Sequence, residues 1–171
     1  MLSPSQRSWI DHHLIAKRTL EVGKIDFAPV HKQPNTALVL VAAAVSLLGS
    51  LGADALLVVV STKIFPSIRG YSHFQFFDYA KLTTVGVLVA CAAWPIVTRI
   101  SSSPRWVFLR MAVLVTLVLF LPDFYILVKG QPVKAVGVLI VMHLAIALVT
   151  YNALVHIAST KPIAKSQLSN V

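Results

Sequence analysis

The sequence predicts an all-α membrane protein, a bundle of four transmembrane helices. Hydrophobic residues make up 57% of its 171 residues and charged residues only 12%, which is far from the composition of a soluble domain. A helix needs about 20 mainly apolar residues to cross a bilayer. Four such runs are visible, at residues 36–60, 79–100, 106–128 and 133–158. Because little chain is left outside them, no second globular domain is expected.

The chain divides into three parts by composition. Residues 1–35 form a basic N-terminal segment, residues 36–158 the four-helix bundle and residues 159–171 a short tail. The opening "SPSQ" has the pattern of a helix N-terminus, so we expect a short helix from Ser3 to about Val22, followed by an extended linker. The segment lacks the uninterrupted apolar core of a secretory signal peptide.

The distribution of basic residues predicts the orientation, because cytoplasmic segments carry the excess of Lys and Arg. We therefore expect a multi-pass protein with both termini in the cytoplasm, so that most of the net charge of +9 faces inward. That charge could dock acidic partners or anionic lipid, or it could be ordinary topology signalling. Ten basic residues are expected on the cytoplasmic side and five on the outer side. The ten are Arg7, Lys17, Arg18, Lys24, Lys32, Arg99, Arg105, Arg110, Lys161 and Lys165, and the five are Lys63, Arg69, Lys81, Lys129 and Lys134.

Three charged residues lie toward the outer ends of the first three runs. At about 1.5 Å per residue, Asp54 is roughly 27 Å along the first helix from Thr36, and Asp123 is roughly 26 Å along the third from Trp106. Lys81 lies near the outer start of the second helix. We favour an ionic clasp that joins the three helices. The alternative is a carboxylate site for protons, cations or a substrate headgroup.

His143, in the fourth run, is expected to be the deepest titratable group, roughly 15 Å from the outer end. A histidine at that depth could relay protons, but a neutral imidazole bonded to a neighbouring helix is the interpretation we favour. No acid or second histidine stands at ligand spacing beside it, and Cys91 is the single cysteine. We therefore expect neither a metal nor another cofactor.

Small residues recur at every fourth position of the first helix, and the row continues to Asp54. Such spacing lets another helix approach closely, so we predict a helix-packing face for the second helix or for a partner subunit. The face consists of Ala42, Ser46, Gly49, Ser50 and Ala53.

The connection after the first helix is dense in aromatic residues, as is typical of the membrane interface. Ser72 and Gln75 have the spacing of a capping box, so the second helix is expected to begin near His73. Pro122, which precedes Asp123, is expected to kink the third helix.

Several function classes lack their signatures. The chain has no P-loop, no nucleophile elbow, no HExxH motif and no cysteine pair, so an enzyme is not expected. It also lacks the broken helices and duplicated halves of secondary transporters. We do not expect nucleic acid as a partner, because the basic residues are split between the two membrane sides.

The basic turn "RISSSPRW", the acids late in the first and third runs, and "VLIVMHLAIALV" in the fourth give the chain a family resemblance. Over residues 36–158 it resembles small four-helix membrane proteins of mycobacteria and related actinobacteria. Within that group it resembles the accessory subunit, of the lipid-uptake-coordinator type, of Mce-type lipid importers. The resemblance carries no site residue.

The resemblance implies a protein of the bacterial inner (plasma) membrane. It would be a non-catalytic accessory or regulatory subunit, bound to the permease of an ATP-driven importer of fatty acids or lipids and in contact with membrane lipids. The alternative is a small lipid-binding or headgroup-binding membrane protein, conceivably enzymatic, that uses Asp54, Asp123 and His143.

Overall fold

The computed structural model describes Lys17, Thr19, Glu21 and residues 33–160. Those three N-terminal residues are helical. The rest of the predicted N-terminal helix, the linker up to residue 32 and the tail from residue 161 lie outside the described residues.

Four long helices account for most of residues 33–160. They are α1 (Thr36–Ile64), α2 (Phe76–Ile100), α3 (Pro104–Val128) and α4 (Val133–Ile157). With 29 residues α1 is about 43 Å long, and the 25 residues of each other helix give about 37 Å. Each is long and apolar enough to cross a membrane. The predicted four-helix membrane bundle is confirmed, and the protein is a multi-pass membrane protein.

The helix starts agree with local chemistry, with one exception. The side chain of Asn35 accepts a hydrogen bond from the Ala37 N–H at 2.9 Å and so caps α1. The prediction that α2 begins near His73 is wrong. Ser72–Phe74 is a separate short 3-10 turn, and the extended backbone of Gln75 interrupts the chain before α2 begins at Phe76.

The four helices form a closed ring in which α4 has the largest share of the packing. It packs most extensively against α1 and then against α3, while α2 packs mainly against α1. The predicted packing face on α1 is therefore occupied by α4, where we expected α2 or a partner. At Gly49, a Cβ atom would lie only 2.9 Å from Val149 Cγ1 of α4. Of the other members of this face, Ala42, Ser46 and Ser50 are fully buried and Ala53 is partly buried.

We call the end of the bundle that carries the start of α1 and the end of α4 the terminal end. Its core is apolar and centred on Trp94, whose indole N–H donates to the Ala158 carbonyl at 2.9 Å. The edge of the Trp94 ring meets Phe108 at a centroid distance of 5.0 Å, and Phe108 stacks on Tyr151 at 6.0 Å. The fully packed members of this core are Ala42, Val87, Cys91, Trp94, Val97, Phe108, Leu154, Val155 and Ala158.

The opposite end, which we call the loop end, is covered by residues 65–75. This segment contains two short 3-10 turns, Pro66–Ile68 and Ser72–Phe74. Ile68 and Phe74 are buried against Ala135 in the first turn of α4. The segment therefore forms a roof over that end of the bundle.

Candidate polar site inside the bundle

Asp54 lies in the interior of the bundle and is fully buried, with 0% exposure. The Thr83 hydroxyl of α2 donates a hydrogen bond to Asp54 Oδ2 at 2.7 Å. The other carboxylate oxygen, Oδ1, has no hydrogen-bond partner within residues 33–160. Leaving a buried acceptor without a partner costs free energy. Asp54 is therefore bonded through Oδ2, while Oδ1 remains available to bind another group.

Asp123 and His143 form a second pair, between α3 and α4. Asp123 is 5% exposed, and His143 Nδ1 lies 3.1 Å from its Oδ2. The same Nδ1 lies 2.9 Å from the Leu139 carbonyl, one turn earlier in α4. One N–H cannot serve both acceptors well, and Asp123 Oδ2 has no hydrogen bond of good geometry. Protonation of the imidazole adds charge attraction to this contact.

The two pairs lie at one level of the bundle. Gly49 meets Val149 across antiparallel α1 and α4, so Asp54, five residues on, faces the neighbourhood of His143, and the charge of His143 acts on Asp54. α1 continues beyond Asp54 to Ile64, and the depth of Asp54 in the membrane stays a prediction. We call Asp54, Thr83, Asp123 and His143 the polar cluster.

Lys81 is not a member of the polar cluster. Its side chain is exposed. In the described part of the chain Lys81 forms no ion pair, and the one contact between an acidic and a basic side chain is that of Asp123 with His143. At 3.6 residues per turn, two residues rotate a side chain by about 200°. Because Thr83 points inward, Lys81 points outward, and the predicted clasp through Lys81 is not formed. Sequence reasoning missed Thr83, because a helix that is apolar on all sides does not show how it is rotated in the bundle.

The roof brings two further polar side chains near Asp123. The Tyr71 hydroxyl is buried and without a hydrogen-bond partner among residues 33–160. Burial raises the pKa of Tyr71 above its ordinary value, and the negative charge of Asp123 raises it further, so the hydroxyl stays protonated at neutral pH. His73 is exposed, and its charge acts on Asp123. The cluster therefore has electrostatic contact with the aqueous side of the loop end.

The arrangement is suited to holding protons. Three bases, two of them carboxylates and one an imidazole, share an apolar interior. No group of three His, Cys, Asp or Glu side chains that could hold a metal ion occurs in the part of the chain described here. On α2, Tyr79 is buried and close enough to Asp54 for electrostatic interaction, which makes it the remaining titratable neighbour of the cluster.

Comparison with known proteins gives a family but no activity. The family model DUF6069, described as a family of unknown function, matches residues 28–160. This range includes all four helices and every member of the polar cluster. No curated protein and no solved structure is significantly similar to the chain.

Proposed function

We propose that this chain, a member of the DUF6069 family of unknown function, is a non-catalytic membrane component whose polar cluster takes up and releases protons. The observation that supports the proposal is that the basic residue beside the two buried carboxylates is a histidine and not a lysine. The buried carboxylates of Asp54 and Asp123 face His143, while Lys81 is exposed. A lysine would keep a fixed charge, whereas histidine gains and loses its proton near neutral pH.

The charge balance of the cluster favours proton uptake. With both carboxylates ionised and His143 neutral, the cluster carries two negative charges in an apolar bundle. Intramembrane charges of this kind cost a few kcal/mol or more unless they are neutralised. One proton on His143 balances Asp123, and a second can be held by Asp54 Oδ1, the oxygen that Thr83 leaves free.

The surroundings favour exchange with the loop end. On that side, exposed His73 and the buried Tyr71 hydroxyl are both close enough to Asp123 for electrostatic interaction. Toward the terminal end, the path meets the packed apolar core around Trp94 and Leu154. We therefore infer a proton-binding site that exchanges with one side, and not a path across the membrane. By the basic-residue distribution, that side is expected to be outside the cell.

Infrared difference spectroscopy of the purified protein in lipid tests the proposal. Between about pH 5 and pH 8, where histidine and perturbed carboxyls titrate, we expect a carboxyl C=O band to change reversibly with pH. Asp54→Asn and Asp123→Asn should each remove part of this signal. Asp78→Asn is the matched control, since Asp78 lies in the first turn of α2, nearer the loop end, and is partly exposed.

The opposite result has a clear meaning. If the pH-dependent carboxyl signal is the same in the Asp54→Asn, Asp123→Asn and unmodified proteins, then the cluster keeps fixed protonation states. The cluster is then a structural clasp, and the proposed function is wrong. Circular dichroism of each variant shows whether the helices have been retained.

A second candidate is the accessory subunit of a larger membrane complex, and the surface of the terminal end favours it. Arg99, Arg105 and Arg110 are exposed there, and the Arg110 guanidinium lies 3.0 Å from the Trp106 ring centroid. Permanently charged guanidinium groups at one end of the bundle suit an acidic protein segment or anionic lipid. Because α4 occupies the small-residue face of α1, this basic end is the surface that we assign to a partner.

Copurification tests this candidate. Mass spectrometry of the native protein, extracted in mild detergent from its own membrane, should find stoichiometric partner subunits, and Arg99→Glu with Arg105→Glu should release them. An ATP-driven Mce-type permease among them would support the importer suggested by the resemblance. A protein that remains alone counts against any accessory role.

A further inference from the structure

Three buried hydroxyls in the α1 and α4 contact do not behave like the others in these helices. Ser46 and Ser50 are 0% exposed and Thr150 is 5% exposed, yet none has a hydrogen-bond partner in the described ranges. They lie on the terminal side of Asp54, whose Oδ1 is likewise unpartnered. We call these three residues with Asp54 the hydroxyl seam.

Other hydroxyls in the same bundle show the usual behaviour in a helix, which is to donate back to a carbonyl of the preceding turn. Thr116 donates to Ala112 O at 2.8 Å, Thr98 to Pro95 O at 2.8 Å and Thr62 to Val58 O at 2.7 Å. Ser46, Ser50 and Thr150 do not make this bond within their own helix, so each hydroxyl keeps its hydrogen-bonding capacity for another partner.

The spacing of the seam fits water. Residues four apart on a helix are displaced by about 6 Å along its axis. Two hydrogen bonds of about 2.8 Å end to end cover this distance. The axial spacing would therefore match one water molecule between Ser46 and Ser50 and another between Ser50 and Asp54.

We propose that the hydroxyl seam binds a short file of water molecules, which starts at Asp54 Oδ1 and ends at Ser46. Thr150 supplies a partner from α4, at the level where Gly49 meets Val149. The file ends there because the next residue in the row, Ala42, is part of the apolar core with Leu154 and Trp94. In polar cavities buried waters with two to four partners are structural components.

The inference extends the proposed function, for which the water file would be a proton store behind Asp54, but it rests on different residues. Its failure leaves the infrared titration of Asp54 and Asp123 unaffected. Likewise, a cluster that does not titrate leaves the hydration of the seam to be measured separately.

Accessibility to Ag⁺, a small ion that reacts with thiols, tests the position of the water. In a Cys91→Ala background, Ser50→Cys and Ser46→Cys are placed in lipid nanodiscs, exposed to Ag⁺ and analysed for adducts by mass spectrometry. We expect adducts at both positions, and none in the control Ala42→Cys, one turn beyond the seam. Protection of both seam cysteines, or reaction at position 42 as well, overturns a file that ends at Ser46.

A matched pair of isosteric substitutions gives a second test that needs no cysteine. Thr150→Val and Thr116→Val each remove one buried hydroxyl, but only Thr116 is bonded within its own helix. If water bonds Thr150, its substitution lowers the Tm more than Thr116→Val does. If the Thr150 hydroxyl is truly unpartnered, its removal relieves a cost and the Tm rises, which overturns the proposal.

Discussion

The two ends of the bundle differ in how many polar groups they bury and in whether those groups have hydrogen-bond partners. At the terminal end the core around Trp94 is apolar and aromatic, and two polar groups in it are paired: the Trp94 indole with the Ala158 carbonyl, and the Thr98 hydroxyl with Pro95 O. Toward the loop end the interior holds Asp54 and Asp123, and several of its polar atoms are unpartnered. Since lipid gives no hydrophobic drive for helix association, we expect close packing at the terminal end to contribute most to stability, and the polar groups of the loop half to contribute less.

The strongest test of this comparison is Trp94→Ala. Trp94 is 1% exposed, and its removal leaves a large cavity, breaks the bond to Ala158 and removes the contact with Phe108. We expect a loss of about 3–5 kcal/mol in stability, measured by thermal or denaturant unfolding in detergent. The control Ile96→Ala, at an exposed position on the same helix, should change stability by less than about 0.5 kcal/mol. Equal losses for the two variants would show that the terminal end is not the packing centre.

The sequence was sufficient for the fold because the signals for membrane helices are local. Four long apolar runs and the turns between them placed every helix within a few residues, and the small-residue row identified the face of α1 that is buried. The same row could not identify α4 as the partner, because spacing along one helix contains no information on which helix approaches it.

The polar cluster was only partly predictable, for a related physical reason. Helices that are apolar on all sides have no polar face to reveal their rotation, so the contact between Asp123 and His143 could not be read from either helix alone. Lys81 was expected in the cluster from its depth along the helix. The rotation of α2 turns Lys81 away from the bundle interior, and Thr83 on the opposite side of α2 contacts Asp54 instead.

Thr83→Val tests the loop half with a smaller expected effect. The substitution keeps the shape of the side chain and removes the hydrogen bond to Asp54 Oδ2, so we expect a loss of about 2 kcal/mol while Asp54 is ionised. The loss should shrink at a pH low enough to protonate Asp54, because the charge on the acceptor is then gone. Thr84→Val, at the partly exposed neighbouring position, is the isosteric control. A loss that is the same at every pH would indicate that Asp54 does not change its protonation state.

The smallest effect compares two glycines in the middle of helices. Alanine is favoured over glycine in a helix by about 1 kcal/mol, and Gly86→Ala should gain up to that amount, since nothing lies within 4 Å of the new Cβ. At Gly49 the same gain is opposed by Val149 Cγ1 at 2.9 Å, and a β-branched side chain in a helix has little freedom to turn away. We therefore expect Gly49→Ala to be less stable than Gly86→Ala by about 1 kcal/mol or more, and Val149→Ala to narrow that difference in the double variant. If the two glycine substitutions gain equally in unfolding measurements, α1 and α4 are not in close contact at this level, and the placement of Asp54 opposite His143 loses its geometric basis.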